Sequence, residues 1–407
     1  MRLPLSLRPL VVGIAVLSAP ALAAASNLME WNEVAFKAAG TARQSPPMST
    51  RTMAMVHAAM FDAVNAIQPR YEPFKFTAGA PSTASVDAAS AAAAHAVLSK
   101  QFPEQKAALD EALAASLAKT DEGTDRGSGI AVGAAAAASL LAWCAEDRVG
   151  LPTEYRFVTA PGVYVGTTLP AGHDFAVSRP WLMTKADQFR PGPPPALSSD
   201  VWARDVNETR QIGAKASKLR SPEQTEVATF WIVTGAPSYN AIIRQAVSNK
   251  NLDPVDAARV MALAYMAATD SLVAVFDAKY TYNFWRPITA VRNGDQHGNS
   301  AVQRDAGWLP LVDAPLHPEY PCAHCISSAA VAKVLQTELG DESSISMTSP
   351  FLPGVTRRWS RFSDYSQEVS NARIWSGVHY RNSAEVGARM GGEIGSYATA
   401  NFLKHLK

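Results

Sequence analysis

Apolar residues recur at spacings of three and four along most of this 407-residue chain, and no stretch alternates as a strand between turn signals. That regularity restricts the fold to helix packed on helix, so an all-α architecture of helical bundles is expected. Over residues 51–67, Met53, Val56, Met60, Val64 and Ile67 share one face, and His57 and Asp62 read as hydrogen-bonding partners within the core. Residues 82–100 are alanine-rich. Pro103 opens a helix in which Leu109, Leu113 and Leu117 recur every four residues, and residues 129–147 form another apolar helix. Later starts are equally legible. Ser221-Pro222-Glu223-Gln224 is a capping box with Pro at the first helical position, and Asp253-Pro254 opens a long helix towards Tyr280. Pro287 begins a short one, and residues 365–376 and 383–403 are the last two. No repeat of solenoid period is present.

Residues 151–197 break the pattern. They are rich in Pro, Gly and aromatic residues and end in Gln188-Phe189-Arg190-Pro191-Gly192-Pro193-Pro194-Pro195. A connection this long is uncommon and usually functional. It divides an N-terminal helical region, residues 24–150, from a C-terminal one, residues 198–407.

The first 23 residues read as a leader. Arg2 and Arg8 precede a short apolar run at residues 10–17, and Ala21-Leu22-Ala23 is a small-x-small cleavage signal. The run is too short for a lasting membrane span, and no other span is expected. The protein is therefore expected to be periplasmic or secreted. Loss of the two arginines takes the formal charge from +1 to −1. With 37 basic and 36 acidic residues and no charge run, nucleic-acid binding is not expected. Hydrophobic residues at 47 % exclude disorder as the main theme, and three cysteines are too few for a disulfide scaffold. Nothing in the sequence specifies an oligomeric state.

Three segments carry chemistry. In the first, Lys279 and Arg286 lie seven apart, two turns on one helical face, among Tyr280, Tyr282, Phe284 and Trp285. Two cations on a partly buried face need an anion. The second is His317-Pro318-Glu319-Tyr320-Pro321-Cys322-Ala323-His324-Cys325, running into a helix. Small residues at a helix N-terminus offer backbone N–H groups to an anion, and His324 is placed there for proton transfer. The third, Arg373 to Arg381, holds Arg373 and His379 across an expected break at Gly377.

Singly these are weak signals, but in this order the pattern K-x6-R-P, P-x-x-H, R-x5-H resembles the phosphatidic acid phosphatase type 2 and vanadium-dependent haloperoxidase superfamily. Met55 to Ala66, Gln188-Phe189-Arg190-Pro191, Glu223-Gln224 with Phe230-Trp231, and His317-Pro318-Glu319-Tyr320-Pro321 resemble bacterial members of the haloperoxidase branch. The resemblance implies an anion pocket within the C-terminal bundle, holding vanadate, or phosphate as the bound group of a substrate. Lys279, Arg286 and Arg373 would neutralise its oxygens, with the Cys322 side chain and the Ala323 N–H beside them. His379 would be the axial partner, ligand to vanadium or nucleophile on phosphorus, and His324 the acid–base group. The activity implied is oxidation of halide by hydrogen peroxide, with vanadium as a Lewis acid of constant oxidation state and no haem. The alternative is an acid phosphatase hydrolysing phosphate esters through a phospho-histidine. A third is an oxyanion-binding protein whose catalysis has lapsed.

Three departures bear on that choice. Cys322-Ala323-His324 stands where the family usually has Ser-Gly-His, so a weaker side-chain donor and a residue averse to positive φ replace the usual pair. Ser383 stands four residues after His379 where the family often has Asp; it is expected to cap the last helix but to bring no negative charge to His379. His317 matches a position that is His in bromide-oxidising members, which favours bromide or iodide. Cys322 and Cys325 also make a C-x-x-C. They read as a dithiol active site, as a disulfide that gates the anion pocket, or as two tolerated small residues.

Overall fold

Helix starts marked by capping residues appear where the sequence places them. Ser85, Asp125, Ser199, Ser221 and Asp253 each accept a hydrogen bond from the backbone N–H three residues on, and Ser221 with Gln224 completes the capping box. The computed structural model describes residues 19–120, 123–152 and 154–407. The first 18 residues of the candidate leader lie outside the described residues.

The first half comprises α1 (Ala19–Thr41), α2 (Pro46–Ile67), α3 (Val86–Gln101), α4 (Lys106–Ala118) and α5 (Arg126–Cys144). The 151–197 connection holds one short helix among its described residues, α6 (His173–Ala176). There follow α7 (Asp200–Ile212), α8 (Pro222–Phe230), α9 (Asn240–Asn249), α10 (Pro254–Tyr282), α11 (Pro287–Arg292), α12 (Ala323–Leu339), α13 (Phe362–Trp375) and α14 (Arg381–Asn401). Between α12 and α13 an antiparallel hairpin pairs β1 (Glu342–Thr348) with β2 (Thr356–Arg361). The sequence reading missed it because only Ile345, Met347 and Trp359 point inward, too few for a visible alternation. It docks on α9, where Gln245 pairs with both the N–H and the carbonyl of Ser346.

Helix α10 is the axis of the molecule. Helices α1 and α2 from the first half and α12 and α14 from the second pack against it. Both α10 and α5 are long and apolar enough to cross a membrane by length and composition, although no span beyond the leader is expected from the sequence. Nearly all of α10 is enclosed by protein, as befits a core helix. Helix α14 meets α12 closely because Gly387, Gly391 and Gly395 line one face. A Cβ at Gly391 would fall 2.2 Å from the Ile326 carbonyl oxygen, and one at Gly387 2.7 Å from that of Cys322. This contact fixes the N-terminus of α12 against the chain that enters α14.

Two buried aspartates pin irregular segments to the helices. Asp62 accepts from the N–H groups of Phe74, Lys75 and Phe76 at 2.7–3.0 Å. Asp270 on α10 accepts from Trp181, Leu182 and Met183 at 2.6–2.8 Å and so ties down the long connection. Burial pushes both carboxyls up to about 6, outweighing the N–H donors that pull them down. The folded state thus holds these protons more tightly than the unfolded chain. That stabilisation is full below about pH 4 and lost as pH rises through 6. Asp270→Asn should therefore cost more stability at pH 4 than at pH 7 in thermal unfolding. An equal cost at both pH values would contradict this balance. His57 is likewise a core partner: its Nε2 meets the Asn32 amide at 2.8 Å and its ring stacks on Tyr265.

Candidate active site

Lys279 and Arg286 do not share a helix, contrary to the sequence reading. Helix α10 ends at Tyr282 because Asn283 adopts a left-handed conformation, φ 47°, which Asn tolerates. Arg286 lies beyond that turn, in extended backbone before Pro287 opens α11. Both cations then fasten the same loop. Lys279 Nζ donates to the carbonyls of Pro318 and Glu319 at 2.9 and 2.7 Å, and Arg286 Nε donates to that of His317 at 2.9 Å.

Arg373 sits in the last turn of α13. The chain leaves that helix through Gly377, φ 78°, where a Cβ would fall 2.4 Å from the Gly213 carbonyl oxygen, so only glycine fits. His379 follows and is buried at the entry to α14. Ser383 is inside α14 rather than at its cap, which is Tyr380.

Partner chemistry fixes the tautomers of His379 and His324. A guanidinium only donates. Arg286 Nη1 lies 3.2 Å from His379 Nε2, so that nitrogen carries a lone pair and Nδ1 carries the proton. Nδ1 donates to Glu319 Oε1 at 2.7 Å. His317 Nδ1 lies 3.0 Å from Arg286 Nη2 and 3.1 Å from the Pro318 carbonyl, contacts that ask for opposite tautomers. His324 Nε2 faces the Val233 carbonyl at 3.2 Å and carries the proton, leaving a lone pair on Nδ1. Burial, with Arg286 and Lys279 next for His379, holds its pKa well below the usual histidine range. His317 and His324 are lowered by burial too, seconded by Arg286 and by Arg373 respectively. All three rings are neutral at pH 7.

Lys279, Arg286 and Arg373 are all buried. Burial lowers Lys279 well below its usual value, Arg286 to about 10 and Arg373 to about 9; the nearby Arg286 adds to the fall at Lys279 and Arg373. Glu319 is the carboxyl beside Lys279 and Arg286, itself pushed up to about 7 by burial against the pull of Arg286 and Lys279. Arg373 spends one N–H on the Trp231 carbonyl at 2.9 Å, and its Nε has no partner. Three buried cations with one carboxyl beside two of them, an unsatisfied Arg373 N–H and the free lone pair of His324 Nδ1 are chemistry that an oxyanion would satisfy.

Cys322 and Cys325 form a disulfide, so neither sulfur donates a hydrogen bond; Cys322 Sγ instead accepts from the Cys325 N–H. Cys322 is the N-cap of α12 and Ala323 its first residue, with no positive φ required, so alanine replaces glycine there without strain. Ala323 lines a cavity of about 390 Å³ together with His317, His324, Arg373, Leu272 and Phe276. The long connection supplies another wall through Gly172 and Phe175. Lys279, Arg286 and His379 are not among the residues lining this cavity, and Arg286 meets its His317 wall at 3.0 Å. The sequence reading did not single out Glu319, although the acidic residue stood in the quoted His-Pro-Glu-Tyr-Pro run.

Residues 259–407 match the family model described as the VCPO second helical-bundle domain. Over 188 residues the chain is 27 % identical to vanadium chloroperoxidase from Curvularia inaequalis, covering 38 % of this chain but 30 % of that protein's length. Among solved structures the fold is similar to that of the first bacterial vanadium-dependent iodoperoxidase, with TM-score 0.81 and 22 % identity over 94 % of this chain and 98 % of that one. It is also similar to an apo-type bacterial vanadium-dependent chloroperoxidase, with TM-score 0.69 and 17 % identity over 88 % and 94 %. The C-terminal part is thus similar to the second helical bundle of vanadium chloroperoxidase, and the fold of the whole chain is similar to that of bacterial vanadium-dependent haloperoxidases.

Proposed function

We propose that this protein is an exported vanadate-dependent haloperoxidase that oxidises bromide or iodide with hydrogen peroxide. The observation that carries the reading is the buried excess of cations: Lys279 and Arg286 act on the one carboxylate, Glu319, while Arg373 is buried beside Arg286 with its Nε unpaired. Vanadate, when bound, supplies Lewis-acid activation of the peroxide towards halide. Arg373, Arg286 and the remaining N–H of Lys279 hold its oxygens, with the first-turn N–H of Ala323 beside them. His379 Nε2, which accepts from Arg286 Nη1 at 3.2 Å, would be the nitrogen that binds the vanadium once the anion takes over that N–H. His324, with Nδ1 bare on the cavity side of the Val233 contact, accepts and returns a proton. His317 borders the cavity through which halide enters.

The neutral Nε2 of His379 is also what a nucleophile on phosphorus requires, so an acid phosphatase is the second reading. Bromide and iodide oxidation by the phosphate-free protein, with and without orthovanadate, separates the two. Vanadate-dependent turnover is expected. Turnover of a phosphate ester with no vanadate-dependent oxidation would replace this reading with the phosphatase, and absence of both activities would leave a lapsed oxyanion-binding protein.

A further inference from the structure

The superfamily resemblance leads one to expect a carboxylate one helical turn after the axial histidine, and Ser383 stands there instead. Ser383 Oγ lies 3.4 Å from His379 Nδ1. Yet that nitrogen is served by a carboxylate at 2.7 Å from a different element, the loop fastened by Lys279 and Arg286. Glu319 is wholly buried; its backbone and Oε1 are held by several partners, while its Oε2 has none. Its N–H donates to the Phe284 carbonyl, its carbonyl accepts from Lys279, and its Oε1 also accepts from the Tyr380 N–H at 3.1 Å.

We propose that Glu319 is the positioning residue of His379, doing from the loop before α12 what a carboxylate at position 383 would do from α14. It locks the imidazole as the Nδ1–H tautomer and raises the basicity of the Nε2 lone pair. The swap explains why Ser383 is tolerated. An Asp at 383 would place a second carboxylate beside Glu319, where two like charges raise each other's cost in a buried site. This assignment rests on the oxyanion reading of the site.

Two anions distinguish positioning from mere charge balance, measured by calorimetry on the metal-free protein. Phosphate is held by the cations alone, whereas vanadate also takes the histidine lone pair. If Glu319 only neutralised charge, Glu319→Gln would tighten both. Positioning predicts that Glu319→Gln weakens orthovanadate by about 10–100-fold relative to phosphate, and that adding Ser383→Asp to that variant restores most of the loss. Equal or tighter vanadate binding by Glu319→Gln, or no recovery in the double variant, would overturn the assignment. Wild-type protein that bound neither anion would overturn the oxyanion reading, and this assignment with it. One readout needs no change at 319. Nitrogen-15 NMR of histidine-labelled wild-type protein, with the His379 signal identified by its loss in His379→Asn, should show the Nδ1–H tautomer. An Nε2–H tautomer would overturn the assignment even if the 319 variants failed to fold.

Discussion

His379→Ala should keep the helical fold and lose turnover by at least about 10³-fold, whichever of the two chemistries operates, because both use the same lone pair. The structure gives reasons for the fold to persist. Glu319 retains the Tyr380 N–H and its place beside Arg286 and Lys279, and Gly377 still sets the path into α14. Circular dichroism and thermal unfolding would show a native but less stable protein, since a buried carboxylate loses its nearest donor. The comparison with His324→Ala is informative. His324 borders the cavity and its proposed role is proton transfer, so that variant should lose about 10²–10⁴-fold in rate while keeping vanadate affinity. Equal loss of vanadate affinity in both variants would contradict the division of labour drawn here.

Arg373→Met should have two effects of opposite sign. Oxyanion affinity should fall by roughly 30-fold or more, as expected when one member of a buried charged pair is removed. The ligand-free protein should become more stable, with an unfolding midpoint a few degrees higher. Arg373 is buried beside Arg286, its Nε has no partner, and a well-packed apolar side chain of similar length avoids that desolvation. Arg286 differs: it donates to the carbonyls of His317 and Val378 and to two imidazoles, so Arg286→Met should lower both affinity and stability. Calorimetry for affinity and scanning calorimetry for stability check both variants. Loss of stability in Arg373→Met would show that this cation is structural rather than held for a ligand.

The helices were legible because their starts carry local signals, such as the Ser221–Gln224 box and Asp253-Pro254, and because a long apolar period survives averaging. What could not be read locally was set by tertiary contact. The face shared by Lys279 and Arg286 assumed one helix, whereas the single residue Asn283 ends α10 between them, and Asn is compatible with either outcome. The carboxylate beside His379 comes from 319, sixty residues before it in the chain, and no spacing rule connects those positions. The hairpin presents three inward side chains, below what alternation can signal. The long connection announced itself by composition, but only the Asp270 contacts and the cavity wall at Gly172 and Phe175 show what it is held by and what it borders.

The central claim is that Lys279, Arg286, Arg373 and His379 hold one oxyanion. A crystal structure of the protein soaked with orthovanadate, free of phosphate, tests it most directly. The account predicts vanadium bonded to His379 Nε2, with its oxygens on Arg286, Arg373 and Lys279. Vanadate bound elsewhere, or absent from these residues at saturating concentration, would contradict it.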